Sequence, residues 1–524
     1  MDLNEMATFD QVSRSTRQEL LRFGLALLFV IGVALFTWIT QGHVSMTMVV
    51  AAVIGAYMAM NIGANDVANN VGPAVGSKAL TLGAAIAIAA IFEAAGALIA
   101  GGEVVTTIKK GIIDPAMIPD PTTFVWLMMA ALLAAAIWLN LATALGAPVS
   151  TTHSIVGGVM GGGIAAAGWG IANWGTVGQI AASWVVSPLL GGALAAGLLY
   201  LVKRSITYQD DLVRAARKRV PWFLALMAWA FATYLAVKGL KRVLDISFLG
   251  AAAIGLVVAA LVFVAVRPLV ARAADRMQEN SKANVNRLFT LPLIFAAALL
   301  SFAHGSNDVA NAVGPLAAIN DALVGGGTAA EAAIPLWVMA IGAIGLAVGL
   351  ALYGPKLIRT VGHEITDIDP MRAYCIALAA TLTVILASQL GLPVSTTHVT
   401  IGAVFGVGFL REHLKSNYDL LEQQVRDLHP DSDDDEVMQE YLERFRAASL
   451  SQKKRLLQEL KSKSTRREVH ISKRQRKGLK KIYKRELVKR SLVLKVAAAW
   501  VITVPAAALL AAMFFFLIRG MMVG

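Results

Sequence analysis

Two short polar strings stand inside otherwise apolar stretches of this chain. Asn65, Asp66 and Asn69 follow Gly63-Ala64, and Asn307, Asp308 and Asn311 follow Gly305-Ser306. On a helix, spacings of three and four put each trio on one face. Amides and carboxylates are costly in hydrocarbon, so by default they face a bundle interior or a wet cavity, where they hold ions or line a substrate path. Gly72-Pro73 and Gly314-Pro315 follow the two strings, so the helices are expected to break there and expose N–H groups that suit an anion. Interhelical hydrogen bonding by asparagine is the plain alternative. It does not require two carboxylates in mirrored places.

Two hydroxyl strings accompany them, Ser150-Thr151-Thr152-His153 and Ser395-Thr396-Thr397-His398, each behind a Pro-Val. Proline suits the first turn of a helix, and the hydroxyls either cap it or stand as donors beside its free N–H groups. Together they look like an oxyanion cradle. His153 and His398 either relay a proton or orient their neighbours, and both readings stay open. Glu93 interrupts Ile91-Phe92-Glu93-Ala94-Ala95-Gly96 in mid-span, while the region around Gly342-Ala343 in the second half has no carboxylate. That asymmetry makes Glu93 a candidate for a coupling cation or proton. Lys78, Lys109 and Lys110 fall near span ends, where lysines snorkel.

The strings are copies. Gly63 to Pro73 recurs as Gly305 to Pro315 at an offset of 242, and Gly146 to His153 recurs as Gly391 to His398 at an offset of 245. Two motifs in the same order at nearly the same offset mark a duplicated half. Apolar runs near 23–40, 47–65, 79–101, 123–145, 150–169, 179–202, 221–237, 247–266, 290–308, 332–352, 371–391, 394–410 and 491–518 are each about long enough to span a bilayer. In this count each motif and its copy are seven spans apart, so the copies run in opposite senses. The expected fold is an all-α polytopic membrane protein of about 12 to 13 segments, an inverted repeat with broken helices, as in many secondary transporters.

Composition agrees. The 524 residues are 57% hydrophobic and 15% charged, against about 25% charged in a soluble domain, which argues against an ordinary cytosolic enzyme. One cysteine, Cys375, excludes an intrachain disulfide, and no Cys/His cluster has zinc spacing. The net charge of +13 is concentrated in 411–490, with 22 basic and 14 acidic residues. Its acidic run (Asp431, Asp433, Asp434, Asp435, Glu436) reads as solvated surface rather than a metal site. Its basic end abuts the last span and suits anionic lipid headgroups. Its few aromatics show no stacking pattern, so nucleic acid is not an expected partner.

Basic loops at 203–220 and 267–289 place those connections, the N-terminus and 411–490 in the cytoplasm, although Lys238, Lys241 and Arg242 sit in a loop expected outside. The first apolar run lacks a small-residue cleavage site and is expected to be retained. The resulting organisation is a tail (1–22), an extra helix (23–46), a first repeat (47–202), linking helices (203–289), a second repeat (290–410), a helical cytoplasmic insert (411–490) and a last helix (491–524). Gly72 to Lys78 has the wrong spacing for a phosphate loop. Neither Ser150 nor Ser395 lies in G-x-S-x-G, so no serine hydrolase is expected.

At Gly63 to Asn69, at its second copy with Ser306 for alanine, at the paired P-V-S-T-T-H strings and at Ile91-Phe92-Glu93, the sequence resembles the PiT inorganic phosphate transporter family. The resemblance covers about residues 47–410. It implies symport of inorganic phosphate, alone or as a neutral metal complex, with sodium or protons across the plasma (inner) membrane, without catalysis or a resident cofactor or metal. Motif by motif it implies that Asn65, Asp66, Asn69, Asn307, Asp308 and Asn311 are substrate and cation ligands. Ser150, Thr151, Thr152, Ser395, Thr396 and Thr397 become phosphate-facing hydroxyls, and Asp66, Asp308 and Glu93 the coupling-ion residues. A sulfate permease on the same fold, and a phosphate sensor or scaffold acting through 411–490, are the alternatives. Homo-oligomeric assembly is left open.

Overall fold

The computed structural model describes residues 3–41, 45–118, 120–147, 149–238, 246–324, 334–364, 368–427 and 490–523. Among these, the backbone is helical apart from turns and one isolated antiparallel bridge, Ile113 to Ala172. In chain order the α-helices are α1 (Leu3–Gln41), α2 (Met46–Asn65), α3 (Val67–Gly76), α4 (Leu82–Ala100), α5 (Gly102–Thr106), α6 (Pro121–Ala144), α7 (Thr151–Ala167), α8 (Trp174–Val202) and α9 (Leu212–Lys238). They continue as α10 (Phe248–Asp275), α11 (Lys282–Leu288), α12 (Thr290–Asp308), α13 (Ala310–Val324), α14 (Leu336–Glu364), α15 (Pro370–Gln389), α16 (Thr396–Asp427) and α17 (Arg490–Val523). A π-helical stretch, Thr107–Gly111, follows α5.

Among the described residues, eleven helical segments are long and apolar enough to cross a membrane, with α2 and α3 counted as one and α12 and α13 as another. The two further segments expected from hydropathy, 150–169 and 394–410, are α7 and α16. Both start inside the protein, at Ser150 and Ser395, which are 0% and 2% exposed. Their hydroxyl-rich first turns dilute the hydropathy, and α7 has only 17 residues. α1 is helical from Leu3, so the stretch expected as a tail is continuous with the first span, Arg17–Gln41. Most of the expected insert, 428–489, lies outside the described residues, and α16 enters it as far as Asp427.

Polar caps start the helices where the sequence offers them. Asp120 accepts from the Thr123 amide at 2.8 Å and hydroxyl at 2.7 Å, which holds its carboxyl below the usual carboxylate range. Among the described residues two large apolar cores result, beside a small cluster of Ala100, Tyr234 and Phe302. One joins Met58, Ile62, Leu127, Ile155 and Val313. The other joins Val71, Leu199, Leu300, Tyr374 and Val404.

The packing around the two copies recurs residue by residue. Gly63 lies against the carbonyl of Leu346 on α14, and Gly305 against that of Glu93 on α4; there is no room for a side chain at either. Likewise Gly349 meets the Met60 carbonyl and Gly96 that of Phe302. On the other side, Gly157 and Gly161 of α7 meet Val504 and Ala508 of α17, while Gly402 and Gly406 of α16 meet Pro188 and Gly192 of α8. Helix α17, beyond the charged segment, therefore stands to α7 as α8 stands to α16. Small residues at such contacts let backbones approach closely, which drives helix association where lipid removes the hydrophobic term.

Candidate functional site

The expected helix breaks are kinks. Asp66 (φ −88°, ψ −33°) and Val309 (φ −56°, ψ −31°) separate α2 from α3 and α12 from α13, and both keep right-handed backbone. The Asp66 amide still reaches the Ile62 carbonyl at 2.9 Å. The prolines act later. Pro73 and Pro315 lie inside α3 and α13 and, having no N–H, leave the carbonyls of Asn69 and Asn311 without their i+4 partner. The partner each proline takes away is that of a carbonyl oxygen, a group that suits a cation rather than an anion.

The free helix N-termini belong instead to the hydroxyl strings. Ser150 accepts from the His153 amide at 3.1 Å and Ser395 from that of His398 at 3.2 Å, so both serines are N-caps. Pro393 precedes its cap rather than occupying the first turn, because Ser395 takes the position where the helix begins; Pro148 lies outside the described residues. Each first turn then presents its threonines to an aspartate. Thr151 donates to Asp66 at 2.6 Å, Thr396 to Asp308 at 2.8 Å, and Thr397 crosses to Asp66 at 3.0 Å. The asparagines cross too: Asn69 donates to Thr397 at 2.9 Å, and Asn311 to Thr151 at 3.1 Å and Thr152 at 3.3 Å. Thr152 donates to the Val394 carbonyl at 3.0 Å. Asn65 bonds Thr143 at 2.9 Å and Asn307 bonds Ser388 at 2.9 Å, anchoring each kink to the helix before the hydroxyl string. All these motif residues are buried.

His153 and His398 turn to aromatic rings rather than to the aspartates. The two imidazoles meet edge-on at 4.4 Å between centroids, His153 packs on Trp184 at 3.7 Å, and His398 stacks on Trp500 at 3.5 Å. The His153 Nδ1 lies 3.3 Å from the Trp500 carbonyl. This arrangement fits the orienting role better than a relay.

Glu93 is wholly buried and bonded on both oxygens, to Asn70 at 2.8 Å and to His304 Nδ1 at 2.7 Å. His304 Nε2 then lies 2.9 Å from Asp308 and 4.0 Å from Asp66. Ligand atoms of Asp66, His304 and Asp308 all fall within 4.8 Å of one another, a group able to hold a cation. His304 carries no repeated-motif signal, because position 62 of the first copy is isoleucine; its only mark in the sequence is an ionisable side chain four residues before Asp308. The packing also locates the counterpart of Glu93 one helical turn from the Gly342-Ala343 region, at Leu346. The trio Glu93, His304 and Asn70 thus corresponds to Leu346, Ile62 and Ala312. Lys109 does not snorkel: it is buried and paired with Asp321 of α13. Lys238, expected in an outer loop, ends α9 and is 7% exposed.

A sequence profile described as Phosphate transporter family matches residues 62–511. The chain belongs to that family. Relatives named "Putative phosphate permease" include two from different genera. One, from Helicobacter pylori (strain J99 / ATCC 700824), is 51% identical over 98% of both chains. The other, from Haemophilus influenzae, is 37% identical over 69% of this chain and 87% of its own. A solved structure named "The sodium-dependent phosphate transporter" superposes with a TM-score of 0.72 and 30% identity, covering 91% of this chain and 99% of that one. This member of the phosphate transporter family is a multi-span membrane transporter and not an enzyme.

Proposed function

We propose that the protein is a symporter that carries inorganic phosphate into the cell with sodium. The observation that carries this reading is the crossing of the motifs: Thr151 and Thr397, one from each hydroxyl string, both donate to Asp66. A single site is thus built from both halves, which act as inverted copies rocking about it. The relatives' name supports phosphate, and the structural neighbour's name supports sodium.

Phosphate cannot sit directly on two charged aspartates, because like charges repel strongly in a buried setting. The cation therefore lies between Asp66 and Asp308, with the Asn69 and Asn311 carbonyls as further oxygen donors. The phosphate takes the amides of Asn65, Asn69, Asn307 and Asn311 and the threonine hydroxyls at the N-termini of α7 and α16, where backbone N–H groups favour an anion. To donate to phosphate, Thr151, Thr152, Thr396 and Thr397 turn from their present acceptors, while Ser150 and Ser395 keep the helix ends in place. Each ion supplies what the other needs, and that mutual need is the coupling. Glu93 and His304 set the charge beside Asp308 in one half only. The N-terminus and the segment after Asp427 face the cytoplasm, and the unit that moves phosphate comprises 47–202, 290–410 and α17.

The test is labelled phosphate uptake into proteoliposomes with sodium and pH gradients imposed separately, with and without magnesium and with excess sulfate. Concentrative uptake driven by the sodium gradient, independent of magnesium and resistant to sulfate, is expected. Uptake driven by the pH gradient alone would overturn the choice of cation, a magnesium requirement would favour a metal complex as cargo, and competition by sulfate would favour the other anion.

A further inference from the structure

The two halves repeat the Asn/Asp and Ser/Thr strings closely, but the approaches to those strings differ. By the repeat offsets, Ala64 corresponds to Ser306 and Thr143 to Ser388. In the first half, Ala64 and Thr143 line a cavity of about 620 Å³ that also reaches Tyr57, Asn61, Asn140 and Tyr353. Helix α1 closes its far side, packed on α2 and α14. In the second half, α9 packs on the corresponding helices α12 and α4, and its side chains fill the equivalent space. The Tyr234 hydroxyl bonds the Ser306 hydroxyl at 2.8 Å, and the Lys238 ammonium donates to the Ser388 carbonyl at 3.4 Å. Tyr234 also lies edge-on to Phe302, which meets Phe231 edge-on.

Ser388 is the residue that anchors Asn307. The fill therefore sits directly over the second polar string, one hydrogen bond from a proposed substrate ligand, while the same approach to Asn65 by way of Thr143 stands open. Both Tyr234 and Lys238 are buried, at 1% and 7% exposure. A lysine is seldom placed so deep without a partner that justifies its desolvation, and here the partners include a backbone carbonyl beside the path.

We propose that Tyr234 and Lys238 of α9 form a gate over the second motif, and that the structure is the state in which the path is closed there and open at the first motif. This rests on the transport reading above. Opening takes Tyr234 off Ser306 and Lys238 off Ser388, and moves α9 away from α12 and α4. Among the described residues, no counterpart of Tyr234 or Lys238 fills the first-motif cavity, so closure on that side comes from movement of α1 and α14 toward Thr143.

The experiment compares single cysteines at the two mated positions, Thr143→Cys and Ser388→Cys, in a Cys375→Ala background, as the full chain in sealed vesicles. A charged, membrane-impermeant thiol reagent is added to each face in turn. Rapid labelling at position 143 from one face and slow labelling at 388 from the other are expected. Adding Tyr234→Phe or Lys238→Met to the Ser388→Cys protein should raise its labelling rate about fivefold, the factor for one lost hydrogen bond. Equal, fast labelling at both positions, or an unchanged rate at 388 with both gate substitutions, would overturn the proposal. Phosphate flux is measured on vesicles of the Cys375→Ala protein, in which Thr143 and Ser388 are intact. The expected labelling pattern without flux supports the gate and strikes the phosphate reading, whereas flux with equal labelling strikes the gate alone.

Discussion

Glu93, His304 and Asn70 make a polar trio in one half where the other half has Leu346, Ile62 and Ala312. The apolar version is buried and well packed, with Ile62 and Leu346 both at 0% exposure, so the site tolerates either chemistry as structure. The combined substitution Glu93→Leu, His304→Ile, Asn70→Ala makes the polar trio a copy of the apolar one. It is expected to retain the fold, since no member of the trio is left without its partners, and to lose sodium-driven uptake. Glu93→Leu alone strands His304 beside Asp308 without its other carboxylate and costs about 3 kcal/mol. Thermal unfolding in detergent, with uptake measured in parallel, separates the two. Equal stability loss in the single and triple variants would mean that the trio is not an independent charge unit. Much of this scale is legible in the sequence. Asn65, Asp66, Asn69 and their copies announce themselves by type, spacing and repetition, and they meet as expected. His304 is not legible, because repetition is the filter and His304 is one of the residues in which the halves differ. The same filter hides Lys109 with Asp321, a pair whose members lie 212 positions apart.

At the scale of helices, two kinked strings and two capped N-termini divide the labour. The sequence carries signals for both, but the fold puts the helix N-termini at the hydroxyl strings and keeps the Asn/Asp strings helical. Glycine and proline suggest open ends in α2–α3 and α12–α13, whereas backbone continuity there is kept by helical dihedrals at Asp66 and Val309. A proline four residues past an asparagine takes the i+4 partner from a carbonyl, not from an amide, and the proposed placement of cation and phosphate follows that distinction. The glycines that precede the strings serve close approach. Gly63→Ala and Gly305→Ala push a methyl group into the carbonyls of Leu346 and Glu93, and each is expected to cost about 1–3 kcal/mol. Gly83→Ala, where a methyl group meets open space, should be neutral or stabilise by up to about 1 kcal/mol through helix propensity. Thermal shift of the three purified variants checks this; a loss at Gly83 as large as at Gly63 would point to general glycine sensitivity rather than contact. Ser150→Ala removes the cap of α7 and is expected to cost about 1 kcal/mol, and to weaken phosphate uptake because Thr151 rides on that turn.

For the molecule as a whole, the chain crosses over itself: α8 packs on α16 and α17 packs on α7. The last helix is therefore packed into the same bundle as the two copies, although the charged segment separates it in sequence, and on the proposed reading it belongs to the transporting unit. Hydropathy finds α17 but cannot assign it, because no motif marks it; Trp184 and Trp500, paired with the two histidines, are its trace. Replacing residues 428–489 by a flexible linker of similar length should leave uptake intact, whereas ending the chain at Asp427 should abolish it by uncovering Gly157 and Gly161. Uptake by the two altered forms, reconstituted at matched protein, distinguishes this from a signalling role for the segment, under which linker replacement would remove the function. On the reading proposed above, one site, built by both copies, holds phosphate through a cation shared by Asp66 and Asp308. The most direct measurement of that claim is sodium-driven phosphate uptake by Asp66→Asn and Asp308→Asn proteins in liposomes. Near-complete loss of concentrative uptake in each variant, with folding retained, is the predicted result, and full activity in either variant would contradict it.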